Sequence, residues 1–272
     1  MKKKLRKTIT KLPHYIRKDI IEPIGSFLNG VIPIKEKKQK IEDLILITGS
    51  NSSHFKSSLN FLRSVGQFEN LASTYYFDLG LKDDEINVLK STYPQVTIKK
   101  FDYNLYPEYF NINVNAGEYA WKPVIINQIA KENPKSLIMW MDAGNLIHAS
   151  LLKIRMQLKK VGFYSPFAPG LLIEWCHPDS YKYIFGDNKN FLYQSNLMGG
   201  AVAFNLEHKN AQLLLDDWAN LALVKECFAP ATSNKSNHRQ DQSILTLLVC
   251  KYNFVNKTRS TLIGFSVHND ID

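Results

Sequence analysis

Between residues 44 and 141, short apolar runs alternate with segments of helical periodicity, and that alternation narrows the architecture more than any other feature. Four runs have strand length: 44–48, 74–78, 96–101 and 137–141. After the first, Phe55, Leu59, Leu62 and Val65 recur at helical spacing. After the second, Asp83, Asp84 and Glu85 stand where acids complement a helix N-terminus. Residues 102–116 are rich in Tyr and Asn and read as a loop; 116–130 read as a helix with Trp121, Lys122 and Pro123 in its first turns. Such alternation predicts an α/β fold, a Rossmann-type, mostly parallel sheet with helices on both faces.

The second half is less regular. Residues 151–160 predict a basic amphipathic helix, 162–167 a short strand, and His177-Pro178-Asp179 the start of a helix reaching residue 185. The run 196–205, NLMGGAVAFN, predicts one strand interrupted by glycines, which mark a close approach by backbone or ligand. A helix over 207–224 follows, then a loop over 229–237, then HRQDQ leading into an apolar helix over 243–249.

The formal net charge is +9, but it is not spread evenly. Residues 1–40 carry twelve Lys/Arg against three Asp/Glu, and residues 41–272 carry 22 of each. A neutral body argues against a nucleic-acid groove on the fold. Leu5, Ile9, Leu12, Ile16, Ile20, Ile24 and Leu28 recur at three- and four-residue steps among the basic residues, with Pro13 and Pro23 breaking the run. The pattern predicts a basic amphipathic N-terminal helical segment over 1–28 that lies on an anionic membrane surface; a solvated tail or a helix packed on the body is the alternative. A linker to residue 40 and one domain over 41–272 complete the organisation. Cys176, Cys227 and Cys250 lack metal-like spacing and read as reduced thiols. No apolar run spans a bilayer and no signal-peptide core is present, so the expected location is cytoplasmic, at the inner face of the plasma membrane.

The chemistry centres on SLIMWMDAGNLIH, residues 136–148. A buried strand runs into Asp142, and a carboxylate at the end of a core strand is costly to desolvate unless a cation, a hydrogen bond or a ligand meets it. In open α/β sheets ligands bind beyond the carboxyl ends of the strands. Asp142 therefore either meets a ligand or caps the turn. Thr48, Gly49, Ser50 and Asn51 form a small polar exit from the first strand, where a ligand can approach the backbone. Asp241 and Gln242 precede an apolar helix; capping is the alternative role. Lys122 can meet a phosphate or sit in solvent. Magnesium and manganese take carboxylate oxygens, and manganese also accepts imidazole, so Asp142 with His268 is a candidate metal pair. His177 and His238 are alternative bases or phosphate-binding groups, and His54 reads as a surface residue. Nothing matches G-x-S-x-G, the P-loop, H-E-x-x-H or G-x-G-x-x-G.

Taken in order, LILITGSN, YYFDLGL, EYAWKPVII, LIMWMDAGN, SNLMGGAVAFN and HRQDQSILTLL resemble a GT-A-type nucleotide-diphospho-sugar transferase. The likeness covers roughly 41–270 and is greatest to a poorly characterised family, with a layout similar to lipooligosaccharide galactosyltransferases and glycogenins. It implies a GT-A-like fold and transfer of a sugar from a nucleotide-diphosphate sugar to a surface-polysaccharide or lipid-linked glycan acceptor. By position it implies that Asp142 is the first acid of an Asp-x-Asp metal motif and His268 a late metal-binding His. Thr48 to Asn51 and Asp78 would hold the base and ribose, and Asn196, Gly199 and Gly200 would flank the donor sugar. Asp241 and Gln242 would lie near the anomeric carbon. The second acid of the metal motif is replaced by Gly144, which puts the need for manganese or magnesium in question. The same gap motivates the alternative of a non-catalytic nucleotide-binding or scaffold protein.

Overall fold

The computed structural model describes residues 44–254, 259–260 and 262–272. The basic amphipathic segment, its membrane contact and the boundary near residue 40 lie outside them. Strand β1 (Leu44–Ser50) is flanked by β2 (Thr74–Asp78) and β4 (Leu137–Met141), with β3 (Thr97–Lys100) outside β2, all parallel. Helices α1 (Phe55–Phe68), α2 (Asp83–Thr92) and α3 (Trp121–Glu132) connect them. Beyond β4 the sheet becomes antiparallel through β8 (Ala201–Asn205), β6 (Phe163–Leu171) and β7 (Ser195–Leu197). Strand β9 (Arg259–Ser260) joins β6 in parallel, so parallel pairings outnumber antiparallel ones by four to three. A separate antiparallel pair links β5 (Leu146–Ile147) to β10 (Phe265–Ser266). Helices α4 (Leu152–Val161), α5 (Pro178–Phe185), α6 (Lys209–Leu221) and α7 (Gln240–Lys251) complete the architecture.

The two faces of β4 show why its apolar run is unbroken. Ile138 and Trp140 enter one core, with Ile125 and Ile129 of α3, Trp218 of α6 and Leu248 of α7. Leu137, Met139 and Met141 enter the other, with Phe61 and Leu62 of α1 and Ile154 and Leu158 of α4. A strand covered on both sides has no polar face to alternate with. Each fully buried Leu or Ile here contributes about 1.5–3 kcal/mol. Among the described residues no helix is long and apolar enough to cross a membrane, and the three cysteines are buried and free.

Several boundaries differ from the sequence reading, and the differences shape the site. β1 continues through Gly49 and Ser50, because both still pair with β2. The helix expected from 116 begins at Trp121; residues 116–118 take left-handed φ of 55°, 62° and 48°. The run 196–205 is two strands, since the glycines at 199 and 200 form a turn between them. Helix α7 starts at Gln240, so Asp241 and Gln242 lie inside its first turn.

One buried ion pair was not anticipated. Glu69, just past α1, binds Arg155 of α4 at 2.6 Å and accepts from the Leu151 backbone at 2.5 Å, with both side chains almost fully buried. Glu69→Gln keeps the shape and removes the charge. It leaves the buried Arg155 charge uncompensated and should lower unfolding free energy by about 3–5 kcal/mol in urea titration.

Candidate functional site

A cavity of about 660 Å³ opens along the carboxyl ends of the parallel strands. Its floor is the ammonium of Lys122, in the first turn of α3. This lysine is 3% exposed, and its Nζ lies 3.1 Å from Asp142 Oδ1 and 3.1 Å from Asp241 Oδ2. It also donates to the Gly199 carbonyl at 3.3 Å. Asp142 ends β4, where Trp140 Nε1 donates to its Oδ1 at 2.5 Å. Burial by itself would lower the Lys122 pKa; the Asp142 and Asp241 carboxylates outweigh it and hold the pKa raised. Burial raises the Asp241 carboxyl, with Lys122 opposing. One ammonium within 3.1 Å of both acids favours the ion-paired state.

The glycine turn explains how these groups meet. Asp142 N donates to Gly200 O at 2.9 Å, and Asn145 Nδ2 donates to the same carbonyl at 2.7 Å. A Cβ on Gly200 would stand 2.7 Å from Asp142 Oδ2, and one on Gly199 would stand 2.6 Å from Asp241 Oδ2. Only glycines let this backbone pass between the two carboxylates.

Of the residues singled out from sequence, Gly49, Ser50, Asn51, Lys122, Asp142, Gly199, Gly200, Asp241, Gln242 and His268 line the cavity. Thr48, Asp78 and Asn196 do not. Thr48 is fully buried in β1. The Asp78 carboxylate accepts from the Gly80 and Leu81 backbones at 2.8 and 2.7 Å, which makes it the stop of β2. Asn196 is buried in β7 and accepts from Thr246 at 2.8 Å. His177 and His238 are structural, not bases. His177 caps α5 by accepting from Asp179 N at 3.2 Å, and the His238 ring is bonded to His177 N and Phe228 O at 3.1 and 2.9 Å.

Burial pushes the His238 pKa down to about 4, so the folded protein holds this ring neutral. In the unfolded chain it titrates near its ordinary value of about 6.5. Its protonation therefore favours unfolding as pH falls. Stability should be undiminished above pH of about 6.5 and decline toward pH of about 4, by up to about 3 kcal/mol. Urea midpoints across that range measure this, and His238→Gln should flatten the window.

The sequence reading missed Asp270. Its carboxylate fills the space where a side chain at 144 would lie: a Cβ on Gly144 would be 2.3 Å from Asp270 Oδ1. The 265–272 segment is fastened to the site. Asn269 N donates to Gly144 O at 2.7 Å, and Asp272 accepts from Lys56 N and Ser57 N at 2.8 and 3.1 Å at the start of α1. The acidic run His268-Asn269-Asp270-Ile271-Asp272 was the only signal in the sequence. Gly144→Asp would have to displace the exposed Asp270 carboxylate and set two like charges side by side; the displacement is cheap because that side chain can turn into solvent, so Tm should fall only slightly.

Among the described residues no three His, Cys, Asp or Glu side chains converge into a ready-made metal shell. Asp142, Asp270 and His268 do face one cavity. Two carboxylates suit a magnesium or manganese ion that completes its shell from phosphate oxygens and water.

Residues 19–127 match a family described as protein of unknown function, DUF1647. No curated protein matches the chain. Among solved structures, galactosyltransferase LgtC in complex with donor and acceptor sugar analogues is similar, with TM-score 0.50 and 12% identity over 82% of this chain and 86% of that one. An active-site mutant of LgtC gives TM-score 0.52 and 11% identity over 82% and 86%. Mouse xyloside xylosyltransferase 1 gives 0.46 and 13% over 81% and 84%. The chain has a GT-A-like fold. In this GT-A-like fold the parallel strands β1 and β4 deliver Asn51 and Asp142 to one edge, and the glycine turn before β8 closes over them.

Proposed function

We propose that the protein is a glycosyltransferase that moves a sugar from a nucleotide-diphosphate sugar to a surface-polysaccharide or lipid-linked glycan acceptor. The observation that carries this reading is the buried Lys122 ammonium held between Asp142 and Asp241 under the cavity. The carboxyl end of β1, at Gly49, Ser50 and Asn51, receives the nucleoside, as in sheets that bind ligands beyond their strand ends. The leaving diphosphate gathers negative charge, and a preorganised cation stabilises it best where water is excluded. Lys122, with its three N–H donors directed at Asp142, Asp241 and the Gly199 carbonyl, offsets one of the two carboxylate charges beneath the diphosphate and keeps both carboxylates in place. Asp241 and Gln242 face the anomeric carbon, where a carboxylate or amide oxygen stabilises oxocarbenium character. A divalent ion, held by Asp142 and Asp270 with His268 at the rim, would neutralise further charge on the departing diphosphate. The basic segment 1–28 would keep the enzyme at the inner membrane surface.

Purified protein incubated with a panel of nucleotide sugars and manganese tests the reading. Hydrolysis or transfer from at least one donor is expected, with a raised Tm in the matching nucleoside diphosphate. Binding without turnover would select the scaffold alternative. Neither binding nor turnover across the panel would end both.

A further inference from the structure

A second charged feature in the cavity belongs to neither the lysine floor nor the nucleoside site. Arg239, just before α7, lies over Trp175, with its guanidinium carbon 4.1 Å from the ring centroid. The arrangement is rigid. Arg239 N donates to Trp175 O at 3.0 Å and to Ser243 Oγ at 3.1 Å. The indole lies against the Gly170 backbone, where a Cβ would stand 2.0 Å from Trp175 Nε1. Arg239 is half-buried, and the exposed Lys235 lines the same cavity. Among the described residues no carboxylate forms an ion pair with either side chain. Of the cavity acids, Asp142 and Asp241 are engaged by Lys122, and Asp270 lies beside His54 at 3.7 Å.

The position matters as much as the charge. Wall residues Ala168 and Pro169 belong to β6, and the nucleoside site lies at the carboxyl end of β1. Strands β4 and β8 lie between them, so where it pairs with β8, β6 runs roughly 14 Å across the sheet from β1 at ordinary strand spacing. Asp142, just past β4, lies between. The arginine therefore stands on the far side of the reacting centre from the donor nucleoside, where an acceptor must enter.

We propose that this end binds an acceptor bearing a phosphate close to the hydroxyl that receives the sugar, an inference that rests on the transferase reading. A half-buried, unpaired guanidinium is costly to leave uncompensated, and its planar fork matches phosphate oxygens in a bidentate manner. Lys235 adds a second, mobile cation suited to a doubly charged group. Trp175 fixes the fork in place and presents an aromatic edge beside it.

Calorimetric titration of the full-length protein tests this, with the matching nucleoside diphosphate bound first. The probes are glucose 1-phosphate, glucuronic acid and methyl glucoside. Glucose 1-phosphate should bind at least ~10-fold more tightly than methyl glucoside, a gap of about 1.4 kcal/mol. Arg239→Gln should abolish that gap and leave nucleoside diphosphate affinity unchanged. Lys235→Gln, on an exposed residue that threatens no packing, should narrow it by a few fold, about 1 kcal/mol or less. Equal binding of the phosphate and neutral probes overturns the proposal and leaves the transferase reading standing. So does glucuronic acid binding as well as glucose 1-phosphate, or Arg239→Gln weakening nucleoside diphosphate instead, since the arginine would then serve a carboxylate or the donor. No nucleotide binding by the wild type overturns the transferase reading and this proposal with it.

Discussion

Replacing Lys122 with methionine should remove activity and a large part of the stability together. The side chain is buried, and methionine fills most of its volume, so packing survives while the charge goes. Asp142 and Asp241 then face the same space without a cation. Breaking a buried pair from one side costs about 3–5 kcal/mol. Asp241 is the better buried of the two and already has its pKa raised by burial. It should take up the proton that relieves the repulsion. A carboxyl with a raised folded pKa stabilises the protonated fold, so the variant should be worst at high pH and partly recover as pH falls. Urea midpoints at pH 5 and 8, taken as differences from the wild type so that the His238 loss cancels, read the sign. Donor turnover should fall by at least ~10²–10³-fold, the usual loss for removing one preorganised charge-stabilising group. A variant whose deficit against the wild type is the same at both pH values, with donor turnover intact, would show that Lys122 neither neutralises the acids nor serves the leaving group.

The second large effect is expected from Asp241→Asn, and its signature is the opposite. Asparagine has the same shape, and a neutral amide is cheaper to bury than a carboxylate. Lys122 keeps Asp142 as its partner. Folding should therefore be little disturbed, and Tm should move by only a few degrees. Turnover should fall by ~10²–10⁴-fold if the carboxylate faces the reacting carbon, with the donor KM nearly unchanged. Steady-state hydrolysis of the donor, paired with a thermal shift in nucleoside diphosphate, separates the two parameters. Turnover retained within a few fold would remove Asp241 from the chemistry and leave it as a positioning partner of Lys122.

The site divides according to how each part is encoded. Asp142 was visible because a charge at the end of an apolar strand has to be met by something. Gly199 and Gly200 were visible because glycines inside a strand-like run mark a close approach, and both do admit a carboxylate. Lys122 was placed on the right helix but not in its role: nothing local distinguishes a solvated lysine from one clamped between acids 20 and 119 residues away. Asp78 went the other way. It sits at a strand end as Asp142 does, yet its Oδ1 accepts both backbone bonds of the following turn.

Periodicity and strand-end chemistry are local, set by side chains within a turn or two of one another. They carried the alternating architecture, the two-sided burial of the central strands and the line of polar groups at their carboxyl ends. Asp270 over Gly144 and Arg239 on Trp175 join segments 126 and 64 residues apart. Such pairs form only when the sheet order and the 265–272 segment bring remote backbones into contact. The charges that make the cavity asymmetric, acids over lysine at its centre and free cations at one end, follow from that assembly and from no stretch of the chain read alone.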